Sequence, residues 1–339
     1  MSSAAQIAEF IKQHDNFLVT AHVFPDGDNL GSILAISEVL DTLGKSCQCF
    51  LEGDIPKMYT WMPGCERISD DLDASLAKLS INGASPTLLV LDSGDPERVG
   101  SRFTSWLENQ NSIPTANVDH HISNTFFGTV NWVDGGYSSV GEMLFEVLRE
   151  LEIELTRSLA QNIFVSIYTD TGRFSFSNTS PKSLRYASEC VAAGAKPIDA
   201  FRHIYASRSM ESFNLQVESF QTLTKFLDGD GCYFWVSRKM LEKTGTTLDD
   251  ADGFIDFVRT LKDFSIVVFF KEVEEGDIRA SVRAHPPINA SMLMSLFGGG
   301  GHPRAAGCRL MESLNSAIER FVDRAEVAIK SGEVLERDD

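Results

Sequence analysis

The stretch FLVTAHVFPDGDNLGSILAISEVLDTLGK, residues 17–45, decides the fold. Its apolar run Phe17–Ala21 reads as a buried strand, and Leu30–Leu43 carries apolar residues at helical spacing. Gly44 stands where a helix C-terminal cap is expected. A second apolar run, Cys47–Leu51, follows at once, and Thr87–Leu91 and Thr115–Val118 repeat the strand pattern with helical stretches between them. A β-α-β-α order implies a mainly parallel sheet with helices on both faces.

Beyond that first half, Ser158–Tyr168 is apolar at helical spacing, and Pro181 to about Phe226 reads as helix, turn and helix around Gly194 and Pro197. Strands return at Tyr233–Ser237, Ser265–Lys271 and Ile278–Ala284, followed by a glycine-rich turn and a closing helix, Leu314–Ile329. The expected α/β architecture is a catalytic domain over 1–185, a helical linker over 186–215 and a smaller C-terminal α/β domain over 216–339. The active site is expected in the interdomain cleft. At the N-terminus, Ile7, Phe10 and Ile11 suggest an amphipathic helix rather than a signal peptide. With no apolar run long enough for a bilayer, a cytoplasmic protein is expected, without membrane partners.

Six cysteines, Cys47, Cys49, Cys65, Cys190, Cys232 and Cys308, are scattered without zinc-like pairing and read as buried thiols. The net charge of −18 argues against a long nucleic acid partner, because such polymers are held through many Lys and Arg contacts to phosphate. A phosphate-bearing substrate is therefore expected to be short.

Four groups of His and Asp fall at element ends: His22, Asp26 and Asp28 after the first strand; Asp92 after Thr87–Leu91; Asp119-His120-His121 after Ala116–Val118; and Asp170 closing the apolar helix. In parallel α/β sheets the ligand crevice lies outside the carboxyl ends of the strands, so the three strand-end groups can converge. Imidazoles mixed with carboxylates favour manganese, magnesium or a similar divalent ion over a thiolate zinc site. Several carboxylates in one cleft repel one another without cations. Two ions sharing a bridging carboxylate satisfy that charge and form a clamp for in-line phosphoryl displacement. The plainer alternative is that a strand-end aspartate such as Asp28 is only a helix cap.

A last group is Phe297-Gly298-Gly299-Gly300-Gly301-His302-Pro303-Arg304. Successive glycines let backbone amides approach an anion, and the absence of a following Lys-Ser/Thr excludes a P-loop. Just upstream, Arg279, Ser281 and Arg283 share one strand face. Arg283, His302 and Arg304 are thus candidates for a small basic pocket. A flexible turn beside a solvated arginine face is the alternative.

HVFPDGD with Asp92, DHH at 119–121, YTDTGRF and FGGGGHPRAAG together resemble the DHH phosphoesterases with a DHH-associated C-terminal domain, in the family's order from His22 to Gly307. Within them the chain is most similar to the nanoRNase type, oligoribonucleases that also act on 3′-phosphoadenosine 5′-phosphate (pAp). The resemblance implies two divalent metal ions, manganese first, with magnesium, cobalt or iron as alternatives. It places His22 and Asp26 on one ion, Asp92 as the bridge, and Asp28, His120 and Asp170 on the second. His121 would face the scissile phosphate or leaving oxygen, and Asp119 would orient the histidines. Arg283, Gly299, Gly300, Gly301, His302 and Arg304 would bind substrate phosphate and sugar. Asn131, Asp134, Ser138, Ser139 and Glu142 match further family elements and are assigned to support. Asn29 stands where many relatives carry a small apolar residue, and Ala284 replaces a serine.

The implied activity is hydrolysis of short oligonucleotides, dinucleotides such as pApA, and pAp. A cyclic-dinucleotide phosphodiesterase and an inorganic pyrophosphatase or polyphosphatase are the enzymatic alternatives, and a nucleotide-binding sensor is the non-enzymatic one. A homodimer is compatible with the family.

Overall fold

The computed structural model describes residues 3–79, 85–110 and 112–336, in two compact units that divide between Ser207 and Arg208. The first unit is built on six parallel strands: β1 (Phe17–Thr20), β2 (Cys47–Phe50), β3 (Ile68–Ser69), β4 (Thr87–Leu91), β5 (Thr115–Asp119) and β6 (Val130–Val133). They lie in the order β3-β2-β1-β4-β5-β6. The central strands are apolar on both faces because both are covered. Phe17, Val19, Leu89 and Leu91 enter the larger core, whereas Leu18, Phe50, Leu88 and Val90 enter a smaller one.

Helices α1 (Ala4–Gln13), α2 (Gly27–Thr42), α5 (Val140–Glu150), α6 (Arg157–Asp170) and α7 (Pro181–Ala192) cover the larger core. Helices α3 (Leu72–Leu79) and α4 (Ser101–Glu108) cover the other face. Gly44 follows the end of α2 at a φ of 69°, the left-handed conformation anticipated for a cap. The stretch read as a linker is split by the unit boundary. Tyr186, Ala187, Cys190, Ala195, Ala200 and Ile204 pack in the first unit's core.

The second unit holds β7 (Thr224–Phe226), β8 (Gly231–Val236), β9 (Ile266–Glu274), β10 (Asp277–Ala284), β11 (Gly300–His302) and β12 (Ala305–Leu310), ordered β11-β12-β10-β9-β8-β7. Only β8 and β9 pair in parallel. The closing helix, Leu314–Lys330, packs on Ile278, Ala280 and Val282, the face opposite Arg279, Ser281 and Arg283. Two readings need correction. The glycine stretch is not only a turn: Gly300–His302 pairs with Ala305–Gly307 as a hairpin. The end of the expected helix-turn-helix, Thr224–Phe226, is an edge strand paired with β8. Neither could be read locally, because both depend on a partner strand. Among the described residues, no helix is long and apolar enough to cross a membrane.

Candidate active site

Strands β1, β4 and β5 are neighbours, so their carboxyl ends deliver His22, Asp92 and Asp119-His120-His121 to one edge of the sheet. Asp170 comes from a different layer, the last turn of α6. It reaches the edge because α2 and α6 pack closely. A Cβ on Gly31 would lie 2.5 Å from the Asn162 carbonyl oxygen, and one on Gly27 would collide with the Thr169 side chain. On α5, a Cβ on Gly141 would collide with Ser166. Three glycines thus let α6 settle against α2 and α5, bringing Asp170 and Asp28 to the same place.

Asp26 is the N-cap of α2, its Oδ1 accepting from the N–H groups of Asp28 and Asn29 at 3.0 Å each. Capping therefore belongs to Asp26 rather than Asp28. Asp28 is fully buried and accepts from Val140 N (2.8 Å), Gly141 N (3.1 Å), Ser32 Oγ (3.1 Å) and Ser166 Oγ (2.6 Å). Asp92 sits at the centre with a φ of 47°, a left-handed conformation that aspartate tolerates better than most residues. His22 Nε2 lies 3.3 Å from its Oδ2, and His120 Nε2 and His121 Nδ1 each lie 3.5 Å from its Oδ1. His120 Nε2 is also 3.2 Å from Asp170 Oδ2 and 3.7 Å from Asp28 Oδ2.

Three triplets result: His22–Asp26–Asp92, Asp28–His120–Asp170 and Asp92–His120–His121, each with ligand atoms within 4.8 Å of one another. All six residues expected as metal ligands are brought together. His121 and Asp119 join them through a 2.7 Å hydrogen bond between His121 Nδ1 and Asp119 Oδ1. Asp119, itself buried, accepts at Oδ2 from Asn124 Nδ2 at 2.6 Å, and Asn124 also donates to Asn117 Oδ1. Asn29 donates from Nδ2 to the His22 carbonyl at 3.0 Å, so this departure from the family pattern ties the His22 backbone to the helix that Asp26 caps.

The electrostatics ask for cations. Burial, reinforced by neighbouring carboxylates, pushes Asp28 up to about 6 and raises Asp170 further still. Burial also acts to raise Asp92, but the facing imidazoles of His120 and His22 override it and hold this carboxyl below the usual range. Burial acts to lower the two imidazoles, yet contact with Asp92 lifts His22 to about 9 and His120 to about 10. Protons thus occupy positions where divalent ions would supply the same charge. Asp92 Oδ1 is buried without a hydrogen-bond partner, as an atom reserved for such an ion would be. With only nitrogen and oxygen donors in the triplets, the set fits hard or borderline divalent ions.

Some functional contacts had no motif to betray them. Asn117, Asn124 and Ser166 sit in ordinary strand, loop and helix sequence, and only their hydrogen bonds to Asp119, to one another and to Asp28 reveal them. Ser139 reaches Ser166 at 3.0 Å and Glu142 accepts from Ser138, whereas Asn131 closes a turn with Gly128. Asp134 accepts from Gly136 N in a neighbouring turn.

The expected substrate residues all lie in the second unit. Arg283 and His302 flank Ala305 in register across β10, β12 and β11, on one face of the sheet. Arg283 Nε is 2.9 Å from Asp256, and Arg304 pairs with Glu336 and donates to the Ile288 carbonyl. The two guanidinium groups thus already have carboxylate partners, which sequence spacing could not disclose. A Cβ on Gly299 would collide with Gly307, and one on Gly301 would lie 2.7 Å from the Ala305 carbonyl, while Gly300 faces open space.

Residues 16–167 match the DHH family N-terminal domain, and residues 230–331 match the DHHA1 domain. The bifunctional oligoribonuclease and PAP phosphatase NrnA of Thermus thermophilus is 30% identical over 94% of this chain and 91% of its own length. The protein of that name from Bacillus subtilis is 27% identical, over 90% of this chain and 92% of its own. Among solved structures, an exopolyphosphatase-related protein from Bacteroides fragilis shares the fold with a TM-score of 0.87 at 21% identity, covering 97% of this chain and 96% of that one. The chain therefore belongs to the DHH family, in the form that joins a DHH domain to a DHHA1 domain.

Proposed function

We propose that the chain is a phosphoesterase that uses two divalent ions, manganese foremost, to hydrolyse very short oligoribonucleotides and pAp. Asp92 carries this reading: one buried carboxylate is shared by two histidine-containing triplets, with one oxygen toward His22 and the other toward His120 and His121. His22 and Asp26 would hold one ion and Asp28, His120 and Asp170 the other, with Asp92 contributing to both. When bound, such a pair stabilises charge on the attacking and leaving oxygens of an in-line displacement.

The remaining work falls to side chains already held in place. Asp119 engages His121 Nδ1, which fixes the ring and leaves Nε2 to hand a proton to the leaving oxygen. The hydrogen bonds to Asp28 and Asp26 hold those carboxylates before any ligand arrives, so little ordering is needed on binding. In the second unit, Arg283, His302, Arg304 and Gly299–Gly301 are assigned to substrate phosphate, Arg283 and Arg304 exchanging Asp256 and Glu336 for phosphate oxygens. A net charge of −18 disfavours long polymers, which need an extended positive track. The Thermus and Bacillus relatives are named for oligoribonuclease and PAP phosphatase activities together, which supports this substrate pair.

The test is a product analysis of pApA, pAp, a long single-stranded RNA and pyrophosphate, each with manganese and with EDTA. Metal-dependent turnover of the first two is expected. Turnover of pyrophosphate alone would move the assignment to a pyrophosphatase, and rapid loss of the long RNA would overturn the short-substrate reading.

A further inference from the structure

The loop between His22 and Asp26 places Phe24 at a φ of 62° with 89% of its surface exposed. A left-handed backbone is unfavourable for a bulky residue, and this ring gains no burial in return. The loop is not loose: Val23 N donates to the Arg98 carbonyl at 2.8 Å, and Pro25 is buried. Phe24, two residues from both His22 and Asp26 in the chain, borders a cavity of about 550 Å³. Its other walls come from the segments after β2 and β4, including Glu52, Gly53, Asp54, Glu97 and Gly100. All three segments leave the carboxyl edge of adjacent strands, where ligands of parallel sheets bind.

The lining chemistry selects what can enter. Three carboxylate side chains repel phosphate but accept hydrogen bonds from amino, imino and hydroxyl donors. An exposed aromatic ring offers a face to a planar group. We propose that this cavity is a subsite for the nucleoside part of the substrate, its base stacked on Phe24 and its donors turned toward Glu52, Asp54 and Glu97, while the adjoining phosphate lies at the histidine–aspartate cluster. The assignment rests on the phosphoesterase reading and adds a selection for nucleoside esters over pyrophosphate. It also favours bases with exocyclic amino groups.

The test compares wild type, Phe24→Ala and Phe24→Tyr on pApA and on its two abasic forms, each lacking one base. Stacking on an aromatic side chain contributes ~1–3 kcal/mol per base, about 5- to 150-fold in affinity. Phe24→Ala should raise KM for pApA by about that factor, leave KM for one abasic form unchanged, and leave kcat and the manganese isotherm unaltered, with Phe24→Tyr near wild type. An equal rise for pApA and both abasic forms, or no rise at all, would overturn the subsite. Binding of adenosine alone, followed calorimetrically in EDTA, separates this proposal from the hydrolytic one. Loss of adenosine binding in Phe24→Ala supports the subsite even if pApA is never cleaved, and unchanged or absent binding refutes it.

Discussion

Replacing Asp28 by asparagine should leave stability nearly unchanged without metal and lower it with metal. The carboxylate accepts three hydrogen bonds at Oδ1, from Gly141 N, Ser32 Oγ and Ser166 Oγ, and one at Oδ2 from Val140 N. An amide with its oxygen at Oδ1 keeps the first three but points its NH2 at the Val140 N–H. A buried donor left unpaired costs about 1–3 kcal/mol. Against this, asparagine removes a carboxyl that burial raises from 3.8 to about 6. Ionising it in the folded state above that pH costs roughly 3 kcal/mol. In metal-free protein at pH 8 the two effects nearly cancel, and Asp28→Asn should lie within about 2 kcal/mol of wild type. Manganese breaks the balance. Ions at 100 times their Kd stabilise a site by about 2.7 kcal/mol, which is ~5–10 °C in Tm for a unit of this size. Thermal unfolding at pH 8 should therefore give similar Tm values in EDTA and a gap of about 5 °C or more in manganese, wild type higher. An equal manganese-induced rise in both proteins would refute Asp28 as a ligand.

Further outcomes follow from the same geometry. Asp119→Asn keeps an acceptor for only one of His121 Nδ1 and Asn124 Nδ2 and turns its NH2 on the other, and should lower kcat by about 10- to 100-fold while calorimetry finds the metal stoichiometry unchanged. Gly31→Ala should destabilise by about 1–3 kcal/mol in chemical denaturation although alanine is the better helix former, because its methyl meets a backbone carbonyl that cannot swing away; a stability gain would show that α2 and α6 are free to separate. Metal-free stability should fall as pH rises from 6.5 toward 9. His22 and His120 are raised from 6.5 to about 9 and 10, so their contribution is complete below 6.5 and is lost as each folded-state value is passed. A Tm in EDTA that stays flat or rises across that range contradicts these shifts.

The parallel sheet was readable because β1 and β4 are apolar on both faces, a pattern that survives without tertiary context. Strand β6, Val130-Asn-Trp-Val133, was not, since it lies at the sheet edge with Val130 and Asn131 only half buried. Strand β11 contains no residue with a preference for sheet and exists only through its pairing with Ala305–Gly307. The convergence of His22, Asp92 and Asp119 followed from strand adjacency, which topology rules anticipate. That of Asp170 depended on helix packing around Gly27, Gly31 and Gly141, which no local pattern encodes. Arg283, on a strand face read from alternation, and Arg304, from the glycine-rich group, show the reverse case, since their charges are already matched by Asp256 and Glu336. Residue type indicated where a charge would be, but not what had already answered it.

AMP release from pApA, by protein stripped of metal and then given manganese, with Asp92→Ala alongside, is the decisive measurement for a two-ion phosphoesterase. Release is expected to require manganese and to fall to background in Asp92→Ala, although the triplet Asp28–His120–Asp170 that remains could still hold an ion. Release that persists in EDTA, or at the wild-type rate in folded Asp92→Ala, would contradict that assignment.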